Sequence, residues 1–265
     1  MAKEFLSIEV DFGRCRTDLI EFKSLLDHFR FGTLNERESV LKFFQGHPHL
    51  GALIGNVDRN MGHVDRIAFE FDFFGDYAAD LAVGDSRKGH YCFVEFENAA
   101  PDSIFKKVGR KASLEWSNRF EHGYSQIIDW FWKLHDLART EAGRARFGHG
   151  GAFNYSGLLV IGRSDGLAEL ERQRLEWRRN KVVVDSKVIR CVTFDELYED
   201  LRFQLERYTP AARANSRKRF ASPTGLGRRR FKKILKKSRS QSVAEDHQAA
   251  PEVIAETEAV EHREE

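Results

Sequence analysis

Hydrophobic residues in the first third of the chain recur at helical and then at strand spacing. Leucine and phenylalanine return every three or four positions in residues 17–30, which predicts an amphipathic helix. A second helix is predicted from about Asn35, whose side chain can cap it, to Gly46 and Pro48, which stop it. Residues 69–73 (FEFDF) alternate strictly between apolar and acidic side chains, which is typical of a half-exposed strand.

Two short apolar stretches joined by the polar residues 85–89 predict a β-hairpin that completes an antiparallel meander. Side chains alternate between the two faces of a strand, so Glu95 and Glu97 point the same way. A turn centred between Arg87 and Lys88 would place Asp80 opposite Glu95, with Cβ atoms about 5 Å apart. A slip of one residue would move that carboxylate to the other face.

Carboxylates so placed repel one another, and this repulsion predicts a cation between them. Two or three carboxylates suit hard cations such as Mg²⁺ or Mn²⁺ better than zinc, and such an ion can activate water against a phosphodiester. From spacing alone, a solvent-facing acidic row on an exposed strand explains the same residues.

The second half of the chain alternates between helical and strand patterns. Residues 114–139 predict a long amphipathic helix that covers one face of the sheet, and the glycine-rich residues 143–154 end it. The later pattern predicts a strand at 155–161, a helix at 167–180, a strand at 188–192 and a helix at 194–207. Thr193 and Glu196 form a capping box that begins the last helix. This order predicts an α/β sandwich with a mixed sheet, in which parallel strands extend the meander.

Composition and charge separate a foldable body from a tail. The chain of 265 residues is 41% hydrophobic with 22 phenylalanines, enough for a real core. Residues 211–240 hold twelve Lys or Arg and no acid, residues 241–265 hold eight acids and one Arg, and residues 1–210 have 30 basic and 33 acidic side chains. We expect a disordered tail from residue 209, in which residues 228–237 bind phosphates or a membrane surface and the acidic end folds back on them.

No apolar run approaches the ~20 residues that span a bilayer, and no signal peptide is recognisable, so we expect a soluble cytoplasmic protein with no membrane span. Cys15, Cys92 and Cys191 are odd in number and far apart, which favours free thiols. The glycines at 148–151 lack the flanking strand and lysine of a phosphate-binding loop, so no nucleotide triphosphate site is expected. The histidines at 47, 49 and 149 match no zinc spacing and are interpreted as ordinary loop residues.

The order of several short motifs resembles the Shedu family of bacterial anti-phage defence proteins over nearly all of residues 30–208. The matching stretches are residues 35–48, YAADLAV at 77–83, FVEFE at 93–97, HGYSQIIDW at 122–130, GLLVIGR at 157–163 and TFDEL at 193–197. The resemblance implies a nuclease of the PD-(D/E)xK superfamily, a restriction-endonuclease-like mixed sheet flanked by helices, and a homo-oligomer. It divides the chain into an N-terminal helical or extended segment (1–34), a nuclease-like domain (35–208) and the tail (209–265).

By motif position the resemblance makes Asp80, Glu95 and Glu97 the catalytic, metal-binding acids and Gln126 a further site residue on the long helix. Read without the resemblance, this glutamine belongs to the surface. Glu97 stands where the superfamily most often has a lysine that orients or deprotonates the attacking water. The nearby lysines that could supply this charge are Lys106, Lys107 and Lys111.

Glu36 and Glu38, on the helix before the sheet, either add another acid to the site or complement the helix dipole. The aromatic-rich residues 116–132 are a candidate contact surface for the homo-oligomer.

Together these features predict a Mg²⁺- or Mn²⁺-dependent endonuclease that cuts phage or plasmid DNA with metal-activated water. Asp80 and Glu95 would bind the ion, and Glu97 would add a ligand or handle the proton of the water. One alternative is a nucleic-acid-binding or phage-sensing protein that keeps the fold without cutting. A glycosidase is disfavoured, because its two carboxyl groups must lie across a sugar roughly 5–9 Å apart and residues two apart on a strand cannot do so.

Overall fold

The computed structural model describes residues 4–147 and 153–207, which belong to one compact unit. The helices are α1 (Phe12–His28), α2 (Lys42–Gly46), α3 (Pro48–Leu53), α4 (Asn118–Leu137), α5 (Glu141–Arg146), α6 (Glu169–Lys181) and α7 (Phe194–Arg207), with a π-helical segment at Glu36–Leu41 and a 3₁₀ turn at Ile54–Val57. The strands are β1 (Leu6–Ser7), β2 (Arg66–Asp72), β3 (Ala78–Asp85), β4 (His90–Phe96), β5 (Phe105–Lys106), β6 (Glu115–Trp116), β7 (Asn154–Val160), β8 (Val183–Val184) and β9 (Lys187–Val192).

In the described ranges, one mixed sheet of seven strands runs in the order β1, β2, β3, β4, β7, β9, β8. Strands β2, β3 and β4 form an antiparallel meander, β7 pairs parallel to β4, and β9 pairs parallel to β7. The predicted mixed α/β architecture is therefore confirmed. The predicted disordered tail lies outside the described residues, as do residues 148–152 of the glycine-rich segment.

The sheet separates two apolar layers. One layer packs α1, α2, α3 and α7 against it, and there the rings of Phe44 and Phe96 stack with centroids 5.1 Å apart. The other layer is dominated by α4, whose Trp130 stacks on Phe73 at 5.6 Å. A sheet covered on both faces explains why β7, between two parallel neighbours, is almost wholly buried.

The helices that precede β2 begin and end at residues other than those predicted from the sequence. α1 begins earlier than predicted because the Asp11 carboxylate accepts hydrogen bonds from the amides of Gly13 and Arg14. Asn35 caps the next segment through the Glu38 amide, as predicted. Pro48 does not simply stop that helix. It opens α3 from the first helical position, where its missing amide proton would have had no partner.

The strand predicted at residues 69–73 is present as the end of β2, but its phenylalanines do not all face the same layer. Phe69 packs against one apolar layer, whereas Phe71 and Phe73 lie in the other. The cause is Glu70, whose φ of 49° is in the left-handed region and turns the following residues to the opposite face. The strand thus changes faces directly beside the position of Asp80 on β3.

The long helix α4 begins at Asn118 rather than at 114, because residues 105–116 form the β5–β6 hairpin first. Ser117 then caps the helix by accepting the Phe120 amide at 2.9 Å. At the far end of the chain, the capping box is confirmed: the Glu196 amide donates to the Thr193 hydroxyl at 3.1 Å, and the Thr193 amide donates to the Glu196 carboxylate at 2.8 Å.

Candidate active site

The β3–β4 hairpin has the predicted register. Asp85 pairs with His90 and Leu81 pairs with Val94, so the turn is centred between Arg87 and Lys88. Continued by one residue beyond Leu81, this register places Asp80 opposite Glu95.

Asp80 marks the point where the pairing of β3 with β4 ends. Its carboxylate accepts a hydrogen bond from the Phe96 amide at 2.9 Å, a bond that a strand carbonyl would make if the ladder continued. Phe96 lies between Glu95 and Glu97 in the sequence, and its phenyl ring is buried in the layer opposite α4. The hydrogen bond to its amide therefore holds the Asp80 side chain at the end of β4. The carboxylate therefore stays at the edge where the two strands separate.

Burial and neighbouring acids oppose ionisation at this edge. The pKa of Asp80 is raised to about 7, chiefly by burial and also by the charges of Glu36 and Glu97, while the Phe96 amide and Arg37 act in the opposite direction. The pKa of Glu95 lies well above its ordinary value, first because the side chain is buried and then because Asp80, Glu36 and Glu97 are near.

Glu36 joins this group from the π-helical segment. Its amide donates to the Asn98 side chain at 2.7 Å, which fastens the segment to the chain leaving β4. Burial and then the charge of Glu97 raise the pKa of Glu36. We call Glu36, Asp80, Glu95 and Glu97 the acidic cluster. Glu38 is not part of it, since this exposed side chain forms an ion pair with Lys42.

Glu97, buried on the face covered by α4, contacts two basic residues of that helix. Arg119 donates to its carboxylate at 2.9 Å, and the Nδ1 of His122 lies 3.3 Å from the other oxygen. Glycine at position 123 makes this approach possible, since a Cβ there would lie 3.0 Å from the Glu97 Cγ. The buried charge is thereby paired, as buried carboxylates require.

Sequence reasoning missed Arg119 and His122. It looked instead to lysines, but Lys106 donates to Asn118 at 2.7 Å and Lys111 forms an ion pair with Glu115. A usable signal was present, because residues 119, 122 and 126 follow the spacing of one helix face and residue 126 was already a candidate.

Gln126 lies on α4 one turn beyond Gly123, and its Oε1 atom is buried without a hydrogen-bond partner. A buried carbonyl oxygen left unpaired is costly, and it suits a donor or cation that joins the site from outside the chain.

A known protein family matches the part of the chain that contains these residues. The family model described as Shedu protein SduA, C-terminal, matches residues 34–198, more than half of the chain. The chain belongs to the Shedu family. Membership implies a role in anti-phage defence. The matched range contains the whole acidic cluster and Gln126. No curated protein matches the chain.

The donor set of this Shedu protein fits a hard divalent cation only in part. Across residues 4–147 and 153–207, no three His, Cys, Asp or Glu side chains are arranged to hold a metal ion. Mg²⁺, however, usually takes one or two protein carboxylates and completes its shell with water and substrate oxygens. Asp80 and Glu95 supply two such carboxylates, with the unpaired Gln126 oxygen on the covering helix. These residues therefore fit an ion such as Mg²⁺ or Mn²⁺, which keeps several water ligands, better than an ion whose ligands all come from the protein.

The remaining candidates have structural contacts. His47 lies 2.7 Å from the Phe43 carbonyl oxygen and 3.1 Å from the Glu21 carboxylate, and His49 accepts from the Asp11 amide at 3.3 Å. His149 lies outside the described residues. The three cysteines are free, as predicted, and all three are buried. Within the described part of the chain, no helix is both apolar enough and long enough to cross a membrane.

Proposed function

We propose that this Shedu protein is a metal-dependent DNA endonuclease of anti-phage defence, with a restriction-endonuclease-like core of the PD-(D/E)xK type. The observation that carries the proposal is the acidic cluster, four carboxylates gathered at the edge where β3 and β4 separate. Glu97 is paired with Arg119, but Asp80 and Glu95 have no ion pair among the described residues, and folding the chain around these two acids costs free energy unless a cation or protons neutralise them. Such an arrangement is typical of functional sites.

Asp80 and Glu95 would hold Mg²⁺ or Mn²⁺, with Glu97 as a third ligand or as the group that handles the proton of the attacking water. A bound divalent ion supplies an activated water and stabilises the leaving oxygen of a phosphodiester. The Phe96 amide orients the Asp80 carboxylate, and burial of Glu95 excludes bulk water from its oxygens. Both effects fix the carboxylates before substrate arrives.

Arg119 supplies the positive charge that Glu97 cannot. Its guanidinium is bound to Glu97 while the side chain remains 43% exposed, so it can also face a phosphate. A guanidinium that contacts both the carboxylate and the phosphate would neutralise the negative charge that the superfamily's lysine usually neutralises. His122, more exposed still, lies on the same side of α4.

The direct test is incubation of plasmid and linear DNA with the full chain in Mg²⁺, Mn²⁺ or EDTA, for the wild type and Glu95→Ala. We expect metal-dependent cleavage by the wild type and none by the variant. Cleavage that Glu95→Ala leaves unchanged would remove the site assignment, and cleavage in EDTA would remove the metal.

Gln126→Met tests the unpaired side-chain oxygen of the glutamine. Because this oxygen has no partner to lose and its burial is itself costly, we expect no loss of stability and a gain of up to about 2 kcal/mol in the free energy of unfolding. Cleavage should nevertheless fall by about tenfold or more, since a positioned polar group is lost from the site. Urea unfolding and plasmid nicking measure the two effects. A variant that loses stability and activity together would show a merely structural glutamine.

A non-cutting nucleic-acid-binding protein is the second candidate. The observation in its favour is that no three-ligand metal arrangement exists in the described ranges. Titration calorimetry with Mn²⁺ separates the candidates. Binding of Mn²⁺ that Asp80→Asn abolishes supports the nuclease, and DNA binding without any Mn²⁺ binding supports the second candidate.

A further inference from the structure

The β5–β6 hairpin, residues 105–116, is a second feature beside the candidate active site. We propose that its basic tip, residues 107–111, grips the sugar-phosphate backbone of the DNA duplex next to the site of cleavage. This inference rests on the proposed nuclease function and adds a substrate-holding surface to it.

The tip has charge of one sign. Between residues 103 and 114 the chain carries four basic side chains and no acidic one. Lys107 and Arg110 are exposed, and neither makes a hydrogen bond or an ion pair with the described part of the chain. Gly109, with φ of 61°, forms the turn between them. Two unpaired cations on one short turn suit adjacent phosphates and have no structural partner.

The base of the hairpin is packed against α6. The rings of Phe105 and Trp116 lie 4.3 Å apart, and the Arg174 guanidinium covers both, at 4.8 Å and 5.3 Å from their centroids. Arg174 also donates to the Leu114 carbonyl at 2.6 Å. Packing of a guanidinium over two rings holds the hairpin against α6. A base held by these contacts reduces the conformational entropy that the hairpin would lose when its tip binds a phosphate.

The hairpin is tied to the part of α4 that touches the acidic cluster. The Ser117 amide donates to the Ile104 carbonyl at 2.9 Å, and Lys106 donates to the Asn118 side chain at 2.7 Å. The next residue, Arg119, binds Glu97. A duplex whose scissile phosphate meets the acidic cluster would therefore have its neighbouring phosphates within reach of the tip.

The test compares two double variants of the full chain that lose the same charge. Lys107→Gln/Arg110→Gln removes the unpaired cations of the tip. Arg59→Gln/Arg87→Gln removes two other exposed cations without described partners, and Arg87 lies in the β3–β4 turn, at the opposite end of the strands from Asp80. Binding of a fluorescent duplex is followed in Ca²⁺ against salt concentration, and plasmid cleavage is followed in Mg²⁺. Thermal unfolding checks that each variant is folded.

We expect the tip variant to bind the duplex about tenfold more weakly near ~0.1 M salt, and its slope of log affinity against log salt to be smaller by about one to two. The control variant should keep the wild-type slope. Equal losses in both variants would indicate bulk charge and overturn the proposal, as would a wild-type slope in the tip variant while the wild type binds and cuts DNA. A wild type that neither binds nor cuts would instead overturn the proposed function, and this inference with it.

Discussion

Asp80→Asn is expected to make the metal-free protein more stable at alkaline pH and to abolish its cleavage of DNA. The two effects have one origin, the burial of an ionisable acid among other acids. An asparagine can still accept the Phe96 hydrogen bond, so the strand edge keeps its shape. It carries no charge, and therefore neither repels Glu95 nor binds a divalent cation well.

The sign of the pH dependence follows from the raised pKa. At about pH 3 and below, the Asp80 carboxyl is largely protonated in both states, so the substitution changes stability little. As pH rises, the unfolded chain releases its proton near the ordinary pKa of 3.8, whereas the folded protein keeps its proton until about pH 7. Stability of the wild type is therefore lost across this window. At about pH 8 the variant should be more stable by roughly 1–3 kcal/mol.

Urea unfolding in EDTA at the two pH values measures this difference, with Asp129→Asn as the matched control. Asp129 is an exposed acid of α4 that makes no described hydrogen bond or ion pair, so its replacement should leave stability within about 0.5 kcal/mol at both pH values. A gain that is equal at both pH values would contradict the assignment of the effect to the Asp80 charge.

Added Mg²⁺ should reverse the order. An ion that binds only the folded wild type stabilises it by about 2.7 kcal/mol at a hundred times its dissociation constant, whereas the variant gains little. Cleavage by the variant should fall at least about 100-fold. A variant that Mg²⁺ stabilises as strongly as the wild type would show that the ion binds elsewhere.

The features predictable from sequence were those with local causes. The β3–β4 register depends on one apolar alternation and one short turn, and both are visible in residues 80–97. The capping box at Thr193 depends on side chains three residues apart, and the helix that it opens has the predicted bounds, Phe194–Arg207. Asp80 and Glu95 could be selected for the same reason, since each follows directly after the last pair of this ladder, Leu81 with Val94.

The features that sequence could not provide depend on tertiary packing. Trp116 fits a helical period but pairs with Phe105 in the β5–β6 hairpin, because ring packing there outweighs helix propensity. The change of face at Glu70 results from one positive φ angle, and the residue there is not a glycine, so the sequence gives no sign of it. The partners of Glu97 on α4 depend on where that helix crosses the sheet, which no local pattern encodes.

The crossing of α4 over the sheet depends on Gly157, and this residue provides the second large expected effect. Gly157 lies in the middle of β7, and a Cβ there would lie 2.4 Å from the Ile127 Cγ2 and 3.1 Å from the Phe131 ring. Gly157→Ala should therefore destabilise the protein by roughly 2–3 kcal/mol, although alanine in an open strand position would be favourable by about 0.5–1 kcal/mol. Gly166→Ala, where nothing lies within 4 Å, is the matched control.

The double variant Gly157→Ala/Ile127→Ala decides whether the close approach is the cause. Ile127→Ala alone leaves a cavity and should cost about 2–4 kcal/mol, but it also removes the Cγ2 that the new methyl group would meet. The double variant should then be more stable than the sum of the single changes by at least about 1 kcal/mol. Gly157→Ala should also lower cleavage, because displacement of α4 moves Arg119 from Glu97 and moves Gln126 with it. If the two changes add without coupling, the clash is not what destabilises Gly157→Ala, and the position of α4 over the acidic cluster does not depend on that glycine.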